Sequence, residues 1–277
     1  TRVPPNAVGC ELEARRLLRH TRENMSSDHH HQTVAVVGLG RFGRFWAEKL
    51  ASQYTVVGTS RREVADLPAG VRQVPLEEAL QADTIFLTVA ISAMPEVLDR
   101  IAGVVRRDAT VVDTCSVKVF PVQEMEARLP GTVDIIATHP MFGPDSARER
   151  TDPLPVITWP IRDRHERYQE LLATFRRLNM RVEEMRPDDH DREAAFSQGV
   201  THLVGRILRE MDLQPSEIAT LGYTRLLQVM EQTCNDPVSL FQDLQRYNPY
   251  TREMRQRFAH ALAHTEAVLA EGEGKES

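Results

Sequence analysis

Two stretches of this chain carry side chains whose types and placement suit acid–base chemistry. The first reads Val111-Val112-Asp113-Thr114-Cys115-Ser116-Val117-Lys118, the second Ala137-Thr138-His139-Pro140-Met141-Phe142-Gly143-Pro144. Each follows a short apolar run and then breaks into polar residues, the mark of a buried strand whose carboxyl end opens into a loop. In open α/β sheets ligands bind beyond the carboxyl ends of the strands, which is where Ser116 and His139 fall. A histidine in that place can take a hydroxyl proton as hydride leaves the same carbon. A serine hydroxyl can hydrogen-bond the substrate hydroxyl or the imidazole. Spacing alone leaves a second reading of His139 equally open, a loop histidine satisfied by backbone bonds. Cys115 reads as a packed thiol rather than a nucleophile.

A hydride needs an acceptor, and a third stretch supplies its cradle. Gly38-Leu39-Gly40-Arg41-Phe42-Gly43 sits between a strand, Thr33 to Val37, and a helix from about Arg41 to Ser52. That context turns a weak glycine pattern into a dinucleotide fingerprint. Gly38 makes the tight turn, Gly40 lets the backbone approach a pyrophosphate, and Gly43 allows close helix–strand packing. The helix N-terminus then faces the phosphates with unpaired N–H groups. The end of the next strand chooses the cofactor. A 2′-hydroxyl wants an acidic partner there, but the chain offers Thr59-Ser60-Arg61-Arg62, with Glu63 only after both arginines. A hydroxyl and two guanidinium groups suit a 2′-phosphate, so the expected cofactor is NADP. Val89, at the end of a later strand, completes the candidate cofactor contacts.

The elements that must position these residues alternate. Strands are expected at Thr33 to Val37, Tyr54 to Thr59, Thr84 to Ala90, Thr110 to Asp113, Val133 to Ala137, Pro155 to Thr158 and Met180 to Glu184. Helices lie between most of them, near Leu76 to Ala82, Pro95 to Val105, Pro121 to Leu129 and His165 to Leu178. This order predicts an α/β fold, a Rossmann-type doubly wound parallel sheet. After Pro187 the strand signal stops. Helical patterns follow over Asp189 to Met211, Pro215 to Glu231, Asp236 to Tyr247 and Pro249 to Ala270. The expected domains are therefore an N-terminal extension over 1–31 that is poorly ordered, a dinucleotide-binding domain over 32–186, and an all-helical domain over 187–277.

Composition narrows the class. With 277 residues, 41% hydrophobic and 27% charged, the chain has material for two soluble domains. A net charge of -6 argues against nucleic acid as a partner, and no apolar run reaches the ~20 residues that span a bilayer. Cys10, Cys115 and Cys234 have neither disulfide nor zinc spacing, which fits a reducing cytosol and no metal site. His29-His30-His31, in a polar tail, reads as an unstructured segment. Lysine is scarce, with only Lys49, Lys118 and Lys275, so Lys118 stands out.

The glycine loop, Asp113-Thr114-Cys115-Ser116-Val117-Lys118 and Thr138-His139-Pro140-Met141-Phe142-Gly143-Pro144 together resemble the prephenate/arogenate dehydrogenase family. The Met-Phe-Gly-Pro form is similar to its plant-type arogenate dehydrogenases. The resemblance runs from about residue 32 to 250 and includes His190-Asp191, Ser197-Gln198 and Thr201-His202. It implies oxidative decarboxylation of a cyclohexadienol acid on the route to tyrosine. His139 would accept the hydroxyl proton, and Ser116 would hold that hydroxyl and the histidine. Lys118 matches a neighbouring position and is expected to face the cofactor or a substrate carboxylate. The helical domain is implied to close the site and to form a homodimer.

Other substrate contacts are expected on that domain. Gln198 and His202 are spaced i, i+4 and share a helix face, so they are placed to reach the substrate side chain, although a polar helix seam explains them equally well. Many family members hold a carboxylate with an arginine where this chain has Gln228, with Arg225 one turn earlier. Asp236 matches the acidic, arogenate-preferring form, because an acidic side chain favours an ammonium over a keto acid. Its alternative is to cap the next helix. Arogenate is thus the expected substrate, with prephenate or dual specificity as the alternative. A β-hydroxyacid-type dehydrogenase would need a lysine after the domain boundary, and none lies between Lys118 and Lys275. An unperturbed His139 would make kcat/KM fall below about pH 6.5.

Overall fold

The computed structural model describes residues 32–149 and 152–273. The expected N-terminal extension, with Cys10 and the histidine run, lies outside the described residues.

Eight strands form one sheet in the order β3-β2-β1-β4-β5-β6-β7-β8. They are β1 (Thr33–Val37), β2 (Thr55–Thr59), β3 (Val71–Gln73), β4 (Thr84–Leu87), β5 (Thr110–Asp113), β6 (Asp134–Pro140), β7 (Leu154–Arg162) and β8 (Met180–Glu184). Their β-branched runs are buried on both faces, most fully in β5 and β6, as a parallel sheet covered by helices requires. On one face packs a core that includes Leu87, Met94, Leu98 and Met125. On the other, Trp46 is fully buried and makes ring contacts with Phe42, Phe86, Phe142 and Phe175. That aromatic cluster ties the helix after the glycine loop to the loop after His139.

The helices of this layer are α1 (Arg41–Ala51), α2 (Leu76–Ala79), α3 (Met94–Ile101), α4 (Val119–Arg128), α5 (Pro144–Glu149) and α6 (Tyr168–Arg177). The Rossmann-type fold class stands, with two additions. β7 runs antiparallel to β6, with His139 opposite Ile157, and β8 then pairs parallel to β7. β3 and α5 are elements that apolar periodicity did not indicate, because a three-residue strand and a one-turn helix carry no readable period.

Beyond β8 every element is helical: α7 (Pro187–Ala194), α8 (Val200–Glu210), α9 (Leu221–Cys234), α10 (Val238–Tyr247) and α11 (Thr251–Glu273). Pro187 occupies the first turn of α7, where its missing N–H costs nothing. The single helix expected over Asp189 to Met211 is interrupted by a π turn, Ala195–Gly199. The helix expected from Pro215 begins instead at Leu221, where the Thr220 hydroxyl accepts from the Tyr223 N–H at 3.2 Å. The residues before that cap bury nothing: Ile218 is 91% exposed.

Candidate active site

The glycine loop has the geometry its sequence requires. Gly38 has φ +109°, and a Cβ there would lie 2.7 Å from the Thr88 carbonyl oxygen; both exclude a side chain. A Cβ on Gly43 would lie 1.8 Å from the Gly38 oxygen, so α1 can pack this close only with glycine. Around Gly40 a Cβ would meet nothing within 4 Å, which leaves open space beside the N-terminus of α1. The Thr88 hydroxyl donates to the Gly38 carbonyl at 2.7 Å and fixes the loop against β4. Leu39 is buried, Phe42 packs beside the aromatic core, and Val89 touches the loop at Gly38.

Ser60, Arg61 and Arg62 line an open recess at the end of β2, with both arginines exposed. Gln73, from the unanticipated strand β3, shapes this turn. Its amide accepts from the Val64 N–H and donates to the Arg62 carbonyl, both at 2.9 Å. The residues present therefore fit a phosphorylated dinucleotide: a side-chain-free gap at a helix N-terminus, then a hydroxyl and two free guanidinium groups. Arg41 is half-exposed and pairs with Asp145 of α5, which bridges the cofactor loop to the segment following His139.

His139 stands in β6 near its carboxyl end and is 2% exposed. Its Nδ1 lies 2.8 Å from Nε2 of His190 on α7. His190 Nδ1 lies 2.9 Å from Oδ1 of Asp191. The Asp191 carboxylate also accepts from the Lys118 N–H at 2.7 Å and from the Val119 N–H at 2.9 Å. His139 Nε2 has no hydrogen-bond partner among the described residues. Burial first, then the neighbouring His190 and Lys118, push the His139 imidazole well below the usual histidine value. The acid limb expected near pH 6.5 is thereby corrected downward. Ser116, in the loop after β5, is half-buried, and its hydroxyl makes no hydrogen bond to His139.

Lys118 needs correction. It does not face a cleft: the residue is 1% exposed, and its ammonium pairs with Asp113 and donates to the Thr138 carbonyl. Asp113 also accepts the Cys115 N–H at 2.9 Å. Lys118 thus neutralises a buried carboxylate and clamps β5 to β6 beneath His139. Lysine scarcity marked the residue correctly as unusual, but scarcity carries no direction.

On the helical side, Gln198 Oε1, His202 Nδ1 and Arg206 Nε are buried without hydrogen-bond partners among the described residues. Burial lowers the His202 pKa, while burial raises that of Asp236. Asp236 is half-buried and feels His202, Arg41, Asp145 and Arg206 electrostatically, so the structure gathers these groups into one region. Arg206 donates to the Asp236 carbonyl at 2.7 Å and anchors that turn. Arg225 and Gln228 are not gathered in. Both are exposed on α9, which packs on α8. Sequence reasoning missed the role of Asp243, whose buried carboxylate accepts from the Ser92 N–H at 3.0 Å and from its hydroxyl at 2.7 Å. It also missed the contact of His190 with His139. Its one signal was the His-Asp pair opening a helix, since an adjacent carboxylate can orient a histidine.

Comparison with known proteins agrees with this geometry. Residues 52–167 match the family of the prephenate dehydrogenase nucleotide-binding domain, and residues 207–277 match the TYRAAT1-like C-terminal domain. The chain is 34% identical over 237 residues to Arogenate dehydrogenase 1, chloroplastic, of Arabidopsis thaliana, covering 81% of this chain and 37% of that protein. It is 34% identical over 241 residues to Arogenate dehydrogenase 2, chloroplastic, of the same plant, covering 83% of this chain and 67% of that protein. The chain thus spans little more than a third of the first relative's length. Its fold matches prephenate dehydrogenase from A. aeolicus in complex with hydroxyphenyl propionate and NAD+, with a TM-score of 0.69, 20% identity and 87% and 92% of the two chains covered. It also matches Synechocystis arogenate dehydrogenase, with a TM-score of 0.64, 19% identity and 87% and 93% covered. On its sequence likeness to the Arabidopsis enzymes, the chain belongs to the prephenate/arogenate dehydrogenase family.

Proposed function

We propose that this chain catalyses the NADP-dependent oxidative decarboxylation of L-arogenate to L-tyrosine, with His139 as general base. The observation that carries this is the state of His139: buried at a strand end, bonded at Nδ1, open at Nε2 and held in its neutral form. A neutral imidazole in that place takes the proton of the substrate C4 hydroxyl at Nε2. The bound dinucleotide supplies the acceptor for the C4 hydride. With both gone, the C1 carboxylate leaves as carbon dioxide, its bonding pair passes through the ring to the C4 oxygen, the proton held on His139 returns to that oxygen to give the phenol, and aromatisation drives the step. The protein's task is to bind, orient and exclude water.

Ser116, at the carboxyl end of β5, is the residue we assign to hold the hydroxyl. Gln198 and His202 offer unpartnered buried atoms to the substrate side chain. Asp236, half-buried and with no side-chain hydrogen bond among the described residues, suits the ammonium of arogenate. Arg41 and Arg206 near it soften that preference and favour, as a second reading, some turnover of prephenate. Ser60, Arg61 and Arg62 support NADP over NAD. The helical layer exposes Met211, Ile218, Leu221, Leu226 and Val238, an apolar surface that supports a homodimer through this domain. No helix of the described residues is long and apolar enough to cross a membrane. Cysteine usage supports a reducing compartment; we place the chain in the cytosol, while the Arabidopsis relatives are named chloroplastic.

The test is a rate assay with arogenate or prephenate, each with NADP or NAD, followed by reduced-cofactor absorbance. Turnover of arogenate with NADP far above the other three pairs is the expected result. A preference for prephenate removes the Asp236 argument, and turnover of neither substrate removes the reaction.

A further inference from the structure

The base is wired to the second domain through a chain of three side chains, and the order of donors along it is fixed from one end. Asp191 is fully buried, and its carboxylate meets three donors: the Lys118 and Val119 N–H groups and His190 Nδ1. An ionised carboxylate only accepts. His190 therefore carries a hydrogen on Nδ1, and with that single hydrogen on the ring its Nε2 presents a lone pair. That lone pair is 2.8 Å from His139 Nδ1, so the hydrogen between the two rings belongs to His139. Only one hydrogen fits there, which leaves the His139 lone pair at Nε2.

We propose that His190, held by Asp191, is a positioning residue that locks His139 as the Nδ1–H tautomer and so makes Nε2 the proton-accepting atom. This rests on the reading of His139 as the general base. His139 acts on the substrate; His190 acts only through His139. When Nε2 takes the hydroxyl proton, the positive charge forming on His139 is met by the His190 lone pair and, behind it, by Asp191. The Lys118 ammonium opposes positive charge on His139 even with Asp113 as its partner, so the stabilising contact is the chain to Asp191. The tautomer of a base in the nucleotide-binding layer is thus set by the helical layer.

The experiment uses the full chain with 15N-labelled histidine, in which imidazole nitrogen shifts distinguish Nδ1–H from Nε2–H. His139→Asn assigns the His139 signals. In the wild type, His139 and His190 are both expected as Nδ1–H tautomers. In His190→Phe, His139 loses that preference and kcat falls about 10²-fold, the lower end of what a general base contributes, with the NADP Kd unchanged. In His190→Gln the amide oxygen replaces the imidazole acceptor, so the tautomer and most of the rate return. Melting curves confirm that both variants fold. His139 found as the Nε2–H tautomer in the wild type overturns the proposal, as does an unchanged His139 tautomer in His190→Phe. If the wild type turns over neither substrate, the reaction assignment fails on its own, and the nitrogen shifts still decide the tautomer.

Discussion

Two buried polar clusters, one beneath His139 and one on the helical side, differ in how completely they are bonded. Beneath it, Asp113, Lys118, Thr138 and Asp191 form a closed set of ion pairs and hydrogen bonds. On the helical side, Gln198, His202 and Arg206 keep buried atoms with no partner among the described residues. Burying an unpaired polar atom costs about 1–3 kcal/mol, so native proteins leave few of them, and each calls for an explanation. The closed set holds the fold in register; the open set retains bonding capacity that a bound ligand would fill. Substitutions in the two clusters should therefore be felt in different measurements.

The largest effect is expected at His139 itself. His139→Asn should lower kcat/KM by about 10²–10⁴-fold, the worth of a general base, while titration with NADP gives an unchanged Kd. Retained turnover would remove His139 from the chemistry. In the closed cluster, Lys118→Met leaves Asp113 buried and unpaired, so denaturant unfolding should show a loss of about 3–5 kcal/mol. A folded, stable variant that lost only activity would move Lys118 into the open set. In that open set, Asp236→Asn should leave the melting temperature nearly unchanged and shift the arogenate-to-prephenate ratio of kcat/KM toward prephenate by about tenfold, as the loss of one partly screened charge contact of about 1–1.5 kcal/mol implies. The smallest effect concerns pH. Because the His139 pKa is depressed in the folded chain, its basic form persists as pH falls. The acid limb of kcat/KM should lie below pH 6.5, and a midpoint at or above that value would show that the environment does not depress it.

Much of this contrast was written locally, and some was not. The glycine loop was legible because each glycine answers a steric demand within a few residues of itself or on the adjoining strand. The placement of His139 and Ser116 at the carboxyl ends of strands was legible from the apolar runs that precede them. The direction of β7 was not, since alternation and β-branching are the same in parallel and antiparallel strands. β3 exists because three residues pair with β2, a tertiary gain with no local signature. The His139–His190 bond joins residues 51 apart, and nothing in either neighbourhood specifies the other. Lys118 shows the converse: its oddity was visible, but whether it pointed inward or outward depended on Asp113 and the Thr138 carbonyl across the sheet.

Two pins on one edge leave a door one way to swing. Asp191 grips the backbone at the start of α4, and Asp243 grips Ser92 just ahead of α3. Both carboxylates belong to the helical layer, and both hold the nucleotide-binding layer along the carboxyl edge of the sheet. Any opening that keeps both grips is a rotation about the line joining them. His190, next to one pin, scarcely travels in such a rotation, so the base stays threaded to its anchor. α9, packed on α8 rather than on the sheet, is carried with the helical layer.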